Sequence, residues 1–349
     1  MSLVTFGPGD DLYAAFGHTG VWVYDPTYAI DRVYSWGSFD FNTSNFYVKF
    51  LRGTLPYQIS VVDFGRMADY YAKVENRSVT EQVLNLSANQ KQKIFELAEE
   101  NNRPENREYQ YKFYYDNCAT RVRDILQKGC GDSLKFWQSK STNSYRTWMN
   151  SYLGQKPWAR MAMNAAIGVP ADALASPNQS MYLPDNVMLI VEKSKIGGKA
   201  TVSQKIEHYI QQTNPTSAWS WLWHPHFLIN LLYIGLFIYL YKTARHSVTK
   251  LDKLILGFSG FLGVFLLLLW FGTDHGVTNQ NLHLFVLLPT NLLIAWMLGK
   301  AKFKFVLDNY FWVLLAGVLA FILFHPAHSI PMGVYLFNLF RYRDLKKGF

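Results

Sequence analysis

The stretch YYDNCATRVRDIL, Tyr114–Leu126, sets one of the chain's two cysteines where an extended aromatic segment, YQYKFYYDN, turns into a helix. The helix is expected from about Cys118 to Lys128, with Gly129 as its stop. A cysteine at such a point reads either as a small buried hydrophobe or as a nucleophile. At a helix N-terminus the unpaired N–H groups and the macrodipole favour a thiolate and are expected to lower its pKa. The same N–H groups can receive an oxyanion. Arg121, three residues on, can share a face with Cys118 and adds positive charge. A helix of this length separates Cys118 from Cys130 by roughly 18 Å at 1.5 Å per residue. A disulfide needs Cα atoms within about 7 Å, so no bridge is expected.

A thiol acting on an ester needs an imidazole to move its proton. Before Trp219 the chain holds two histidines, His18 and His208. His208, in KIEHYIQQ, reads as part of a solvated helix face. His18 opens the strand-like HTGVWVYD between Gly17 and Gly20, which allow close backbone approach. One Cys and one His lack the further ligands that zinc requires, so no metal and no cofactor are expected.

Around these residues the first part reads as α+β. His18–Asp25 is a strand, Asp31–Phe39 its hairpin partner, Thr54–Phe64 a third strand and Arg77–Leu86 a fourth. Ser87 and Gln90 form a capping box that starts a helix running to about Asn101. The expected divisions are a domain over 1–202, a linker over 203–218 containing Thr213, Asn214, Pro215 and Thr216, and a helical domain over 219–349.

Composition separates the two parts. The chain has 349 residues, is half hydrophobic and carries a formal charge of +9. From Trp219 onward eleven Lys or Arg face four acids and no Glu, leaving 23 basic and 21 acidic residues before it. The excess therefore belongs to an apolar region and gives no sign of a nucleic-acid partner. Four apolar stretches, Phe227–Tyr241, Leu254–Phe271, Leu282–Leu298 and Tyr310–Phe324, and a shorter one from about Ile330 to Phe340, point to four to five membrane spans. WSWLWHPHF supplies an aromatic belt. Lys and Arg gather after the first and third stretches and in the tail, while GTDHGVTNQN and HPAHS carry none. Five crossings put the basic segments inside and residues 1–218 outside the cytoplasm. An exported domain calls for a leader, and Met1–Thr5 starts directly on a strand-like run, so a removed leader is expected.

GPGDDLYAAFGHTGVWVYDP, YSWGSFDF and YYDNCATRVRDIL, with TDHGVTNQNLHLF and LLPTNLL in the membrane half, resemble the Bacteroides-type lipoprotein N-acyltransferase (Lnb) family. The resemblance implies a permuted NlpC-type, papain-like domain in which the His strand precedes the Cys helix. It implies Cys118 as nucleophile and His18 as base, with Ser35 or Asp40 as the orienting third residue. Asn117 and the Cys118–Ala119 backbone become oxyanion donors, and His275 and Asn281, in an outward loop, candidates for substrate contact. The implied reaction moves a fatty acyl chain from a phospholipid through a thioester to the α-amine of a diacylated lipoprotein. The implied place is the bacterial inner membrane, with the catalytic domain periplasmic. The alternatives are a membrane-anchored cell-wall hydrolase or peptidase, a phospholipase, and a non-enzymatic scaffold.

Overall fold

A computed structural model describes residues 1–138, 143–212, 219–324 and 331–346. The chain divides into two compact units, Met1–Leu153 with Asp172–Asn214, and Gly154–Ala171 with Pro215–Phe349.

In the first unit, alternating β-branched and aromatic residues build β1 (Ser2–Phe6), β2 (His18–Asp25), β3 (Ile30–Ser38), β4 (Pro56–Val62), β5 (Val79–Leu84) and β6 (Glu108–Gln110). β7 (Leu134–Lys135), β8 (Lys195–Ile196) and β9 (Lys199–Ala200) form a small ribbon, and β10 (Val202–Tyr209) follows. The main sheet is antiparallel in the order β10-β5-β1-β2-β3-β4-β6. The helices are α1 (Phe46–Arg52), α2 (Phe64–Asp69) continued by a π-helical turn (Tyr70–Val74), α3 (Ala88–Asn102), α4 (Cys118–Cys130), α5 (Tyr145–Tyr152), α7 (Pro177–Ser180) and α8 (Pro184–Lys193). α6 (Pro157–Ala166) belongs to the second unit.

The period of two along the strands sends alternate side chains to two different cores. Leu3, Val21, Tyr34 and Trp36 pack under Ile94 of α3, Val122 and Ile125 of α4 and Val187 of α8. Val4, Phe6 and Val33 pack against Phe64, Met67 and Ala72. Each such apolar side chain contributes on the order of 2 kcal/mol by leaving water, which clamps α4 across the sheet. α3 starts on the expected capping box, Ser87 Oγ accepting from Gln90 N and Gln90 Oε1 from Ser87 N. α4 does not stop at Gly129. The helix runs on to Cys130, and Gly129 is where Ile94 lies against the α4 backbone, so that a Cβ there would overlap the Ile94 side chain. Both cysteines are free and buried.

The expected linker begins later than residue 203. Residues 202–209 are strand β10, paired along β5, and His208 lies on that strand with its Nε2 2.9 Å from Glu81. It is not on a helix face. The expected linker residues Thr213–Thr216 lie outside the described residues.

The second unit contains α9 (Pro225–Ala244), α10 (Lys250–Gly272), α11 (Asn291–Met297), α12 (Lys304–Phe324) and α13 (Met332–Lys346). Among the described residues three helices are long and apolar enough to cross a membrane: Pro225–Ala244, Lys250–Gly272 and Ala301–Phe324. The stretch Leu282–Leu298 is not one helix. It makes a 3-10 turn at Leu282–Phe285 and resumes as α11 only after Pro289, which has no N–H to give a continuous helix. The polar groups of this break are met from within: Asn291 Nδ2 donates to Ser259 Oγ at 2.9 Å and Tyr310 donates to Asn291 Oδ1 at 2.8 Å. That is the condition for irregular backbone in an apolar surrounding. The last stretch forms α13, 15 residues that include Arg341, Arg343 and Asp344; Ile330 and His325–Ser329 lie outside the described residues.

Residues 154–171 also depart from the expected 1–202 domain. Asn281 Nδ2 donates to the carbonyls of Ala165 and Ala166, and Gly168 N donates to Val277 O at 2.7 Å, which stitches α6 into the second unit.

Candidate active site

Asn117 and Cys118 sit where the aromatic segment meets α4. Asn117 Oδ1 accepts from Ala119 N at 3.0 Å and Thr120 N at 2.9 Å, and Thr120 Oγ1 accepts from Asn117 N at 2.7 Å. Its Nδ2 donates to Phe113 O and Tyr182 O, both at 2.8 Å. The amide is therefore spent on capping α4 and anchoring it, and has no donor left for an oxyanion. Backbone amides at Thr19, Ala119 and Cys118 act on the sulfur instead, favouring its charged form, although Ala119 N is given to Asn117 Oδ1. The start of β2, at His18 and Thr19, lies near the start of α4, which packs against that strand.

The β2–β3 ladder ends at the Gly20–Ser35 pair, and β3 then bulges against β4 between Trp36 and Ser38. Gly37 occupies the bulge at φ +103°, a conformation that side-chain-bearing residues rarely adopt. A Cβ on Gly37 would lie 3.7 Å from Cys118 Cβ, 3.6 Å from the Tyr111 ring and 4.0 Å from the Tyr109 hydroxyl. Gly37 thus marks the floor of the site. Gly17, at φ +79°, makes the turn that starts β2 on His18.

His18 is held by rings. It stacks on Tyr71 at 6.0 Å and on Phe6 at 6.2 Å between centroids. Among the described residues neither expected third residue hydrogen-bonds it: Ser35 Oγ is 2.9 Å from Ser60 Oγ, and Asp40 accepts from Asn42 N and Nδ2 in its own turn. Buried Arg77 lies 4.5 Å from the Tyr71 centroid and donates to Gly7 O and Glu75. Burial, with the Arg77 cation second, lowers the His18 pKa to about 3. Burial likewise raises Cys118 to about 11, the amide hydrogen bonds and Arg77 pulling the other way without winning. The direction is opposite to the one the helix start alone leads to. A helix N-terminus contributes about 0.3–1 kcal/mol, whereas full desolvation of a thiolate shifts its pKa by several units. At neutral pH these shifts favour a neutral thiol and a neutral imidazole. Alkylation of Cys118 by iodoacetamide is accordingly expected to be slow at pH 7 and to climb steeply above pH 9, read by peptide mass mapping that separates it from Cys130.

Arg121 is engaged elsewhere as well. It forms a bidentate pair with Asp116 at 2.7 and 2.8 Å and lies 3.6 Å over the Tyr109 ring. Its effect on the site runs through Tyr109, whose buried hydroxyl has no hydrogen-bond partner among the described residues. Asn281, in the second unit, is buried, with its amide bonded to Ala165, Ala166 and His283. Its side chain is thereby structural. His275 lies in the loop between α10 and the 3-10 turn of that unit. Arg77, Tyr71, Tyr109 and Gly37 escape the sequence reading because they come from separate segments. Gly37 within SWGS, a glycine inside a strand pattern, is the one local sign.

Among the described residues no cluster of His, Cys, Asp and Glu could hold a metal ion. No curated protein and no solved structure matches the chain. Residues 1–151 match the family model described as the Lnb N-terminal periplasmic domain, and residues 218–341 match the Lnb transmembrane domain. With both halves matched in order, the chain belongs to the Lnb family, as a multi-pass membrane protein with an N-terminal periplasmic domain.

Proposed function

We propose that the chain is a lipoprotein N-acyltransferase of the bacterial inner membrane, working through a permuted papain-like arrangement of Cys118 and His18. The observation that supports this is a free, buried Cys118 opening α4, with His18 opening β2, the strand that packs against that helix, in a chain whose two halves match the Lnb periplasmic and transmembrane domains. The His strand precedes the Cys helix in chain order, and α4 packs across an antiparallel sheet.

In the first half-reaction His18 takes the Sγ proton as sulfur attacks the acyl carbonyl of a phospholipid ester. The carbon–oxygen bond breaks, His18 protonates the departing alkoxide, and a lysophospholipid leaves behind a thioester. In the second, the α-amine of a diacylglyceryl cysteine attacks that thioester. The carbon–sulfur bond breaks, and the surplus amine proton returns through His18 to sulfur. The N–H groups of Thr19 and Cys118 and the Tyr109 hydroxyl stabilise the tetrahedral oxyanion of each half. Tyr71 and Phe6 orient the imidazole in place of a polar third residue. The surrounding tyrosines keep water from the thioester.

Purified protein incubated with phospholipid and a diacylated lipopeptide tests the reading. A lipopeptide gaining one acyl chain by mass supports transfer. Free fatty acid alone means a phospholipase and no change a scaffold, while cleaved stem peptides in a parallel incubation with peptidoglycan mean a cell-wall peptidase. Tyr109→Phe is expected to lower kcat by about 10²-fold, the usual worth of one oxyanion donor. Its melting temperature should be unchanged, because the hydroxyl bonds nothing in the fold. A structural role for that hydroxyl would move both.

A further inference from the structure

α1 is a helix with no buried residue. It rises between Asn45 and Gly53, both in the left-handed conformation, at the tip of the β3–β4 connection. Phe41, Tyr47, Val48 and Phe50 are 53% to 81% exposed on this tip. A contiguous aromatic face left in water on a soluble domain marks an interaction site. From Phe39 to Gly53 the charges are Lys49 and Arg52 against Asp40 alone, and both cations fall in the last turn of α1. Rings at the tip with long basic stems beside them suit an anionic phospholipid surface, where the rings enter the boundary and the cations meet phosphate. The unit is covalently joined to helices that span a membrane, so a bilayer is its permanent neighbour.

The same rings lead inward. Phe41 and Phe46 lie 5.0 Å apart, Phe41 and Phe39 5.0 Å, Phe39 and Tyr57 5.3 Å, and Tyr57 stacks on Tyr111 at 4.5 Å. Tyr111 borders Gly37 opposite Cys118. We infer that α1 is a foot that the periplasmic unit sets into the phospholipid surface, from which an aromatic path guides an acyl chain to Cys118. The path rests on the acyl-transfer reading; the insertion does not.

The test uses the full chain in nanodiscs of phosphatidylethanolamine and phosphatidylglycerol, with Cys118→Ser and Cys130→Ser freeing the background of thiols. An environment-sensitive fluorophore is attached at Val48→Cys, and at Tyr28→Cys as a reference in the exposed β2–β3 turn. Acyl-chain doxyl lipids are expected to quench the Val48 probe roughly threefold more than the Tyr28 probe, as insertion to acyl depth requires. Equal quenching, or shielding of the Val48 probe from iodide without lipid, overturns the foot, the latter by showing a protein contact. In the otherwise native chain, Val48→Glu with Phe50→Glu should cut lipid-to-lipopeptide transfer roughly tenfold by opposing insertion. Acylation of Cys118 by a soluble short-chain ester should be unaffected. Quenching without any transfer would sink the acyltransferase reading and leave the foot; transfer without quenching would do the reverse.

Discussion

Cys118→Ala is expected to abolish acyl transfer while leaving the fold intact, and His18→Gln to reduce thioester formation by about 10³-fold. The sulfur is one of the buried groups in the core beneath α4, and alanine keeps the helix start and the Asn117 cap unchanged. The loss is therefore chemical. Trapping is the direct readout: with phospholipid but no acceptor, the native chain should gain one acyl mass on the peptide carrying Cys118, releasable by hydroxylamine. His18→Gln retains a planar polar side chain but removes the base, whose typical contribution is about 10²–10⁴-fold. An acyl mass on any other residue, or full transfer in Cys118→Ala, would sink the mechanism.

The neutral pair makes a further demand on the same assay. With His18 lowered to about 3 and Cys118 raised to about 11, the competent protonation state fills the range between them. The acid limb of kcat/KM is expected well below pH 6, unlike an imidazolium–thiolate pair whose histidine titrates near neutrality. The stability consequence has a definite sign. Unfolded histidine takes a proton near pH 6.5 while folded His18 does not. Its contribution to stability is thus fully present above that pH and falls by about 1.4 kcal/mol per unit as pH drops from 6.5 toward 3.

Much of this molecule was legible in its sequence, and the exceptions have physical causes. β2 was readable at its full bounds because alternation and β-branching agree there. β10 was misread because it is an edge strand, mostly exposed, and a solvated edge carries little of the hydrophobic pattern by which strands are recognised. The membrane half declared itself by charge and hydropathy, yet an average over Leu282–Leu298 conceals a break that depends on Pro289 and on a partner for Asn291. α6 reads as part of the domain around it; its attachment to the second unit needs the carbonyls of Ala165 and Ala166 to meet Asn281, which local patterning does not encode. Cys118 and His18 stand out in the sequence by scarcity and position. The direction of their pKa shifts does not, because burial is a property of the assembled core, and Tyr71, Arg77 and Tyr109 come from separate segments of the chain.

Arg341→Met is expected to destabilise the membrane unit by about 3–5 kcal/mol, the usual result of leaving one partner of a buried ion pair alone. Arg341 and Asp252 are 3% and 2% exposed at their side chains, joined by bonds of 2.7 and 2.9 Å. The guanidinium also donates to the carbonyls of Ala244, Arg245 and Ser247, and Asp252 Oδ2 accepts from Thr249 N at 2.8 Å. One side chain of α13 thus closes the end of α9, the loop after it and the first turn of α10. This arrangement bears on the charge pattern: Arg341, one of the basic residues counted toward a cytoplasmic tail, is paired inside the protein. Thermal unfolding in detergent, followed by tryptophan fluorescence, measures the effect. The double variant Asp252→Asn with Arg341→Met should recover a good part of the loss, because no buried charge is then stranded. Leu254→Ala, on the exposed side of α10, should move the midpoint little. Equal midpoints for Arg341→Met and Leu254→Ala would show that the pair does not hold these helices together.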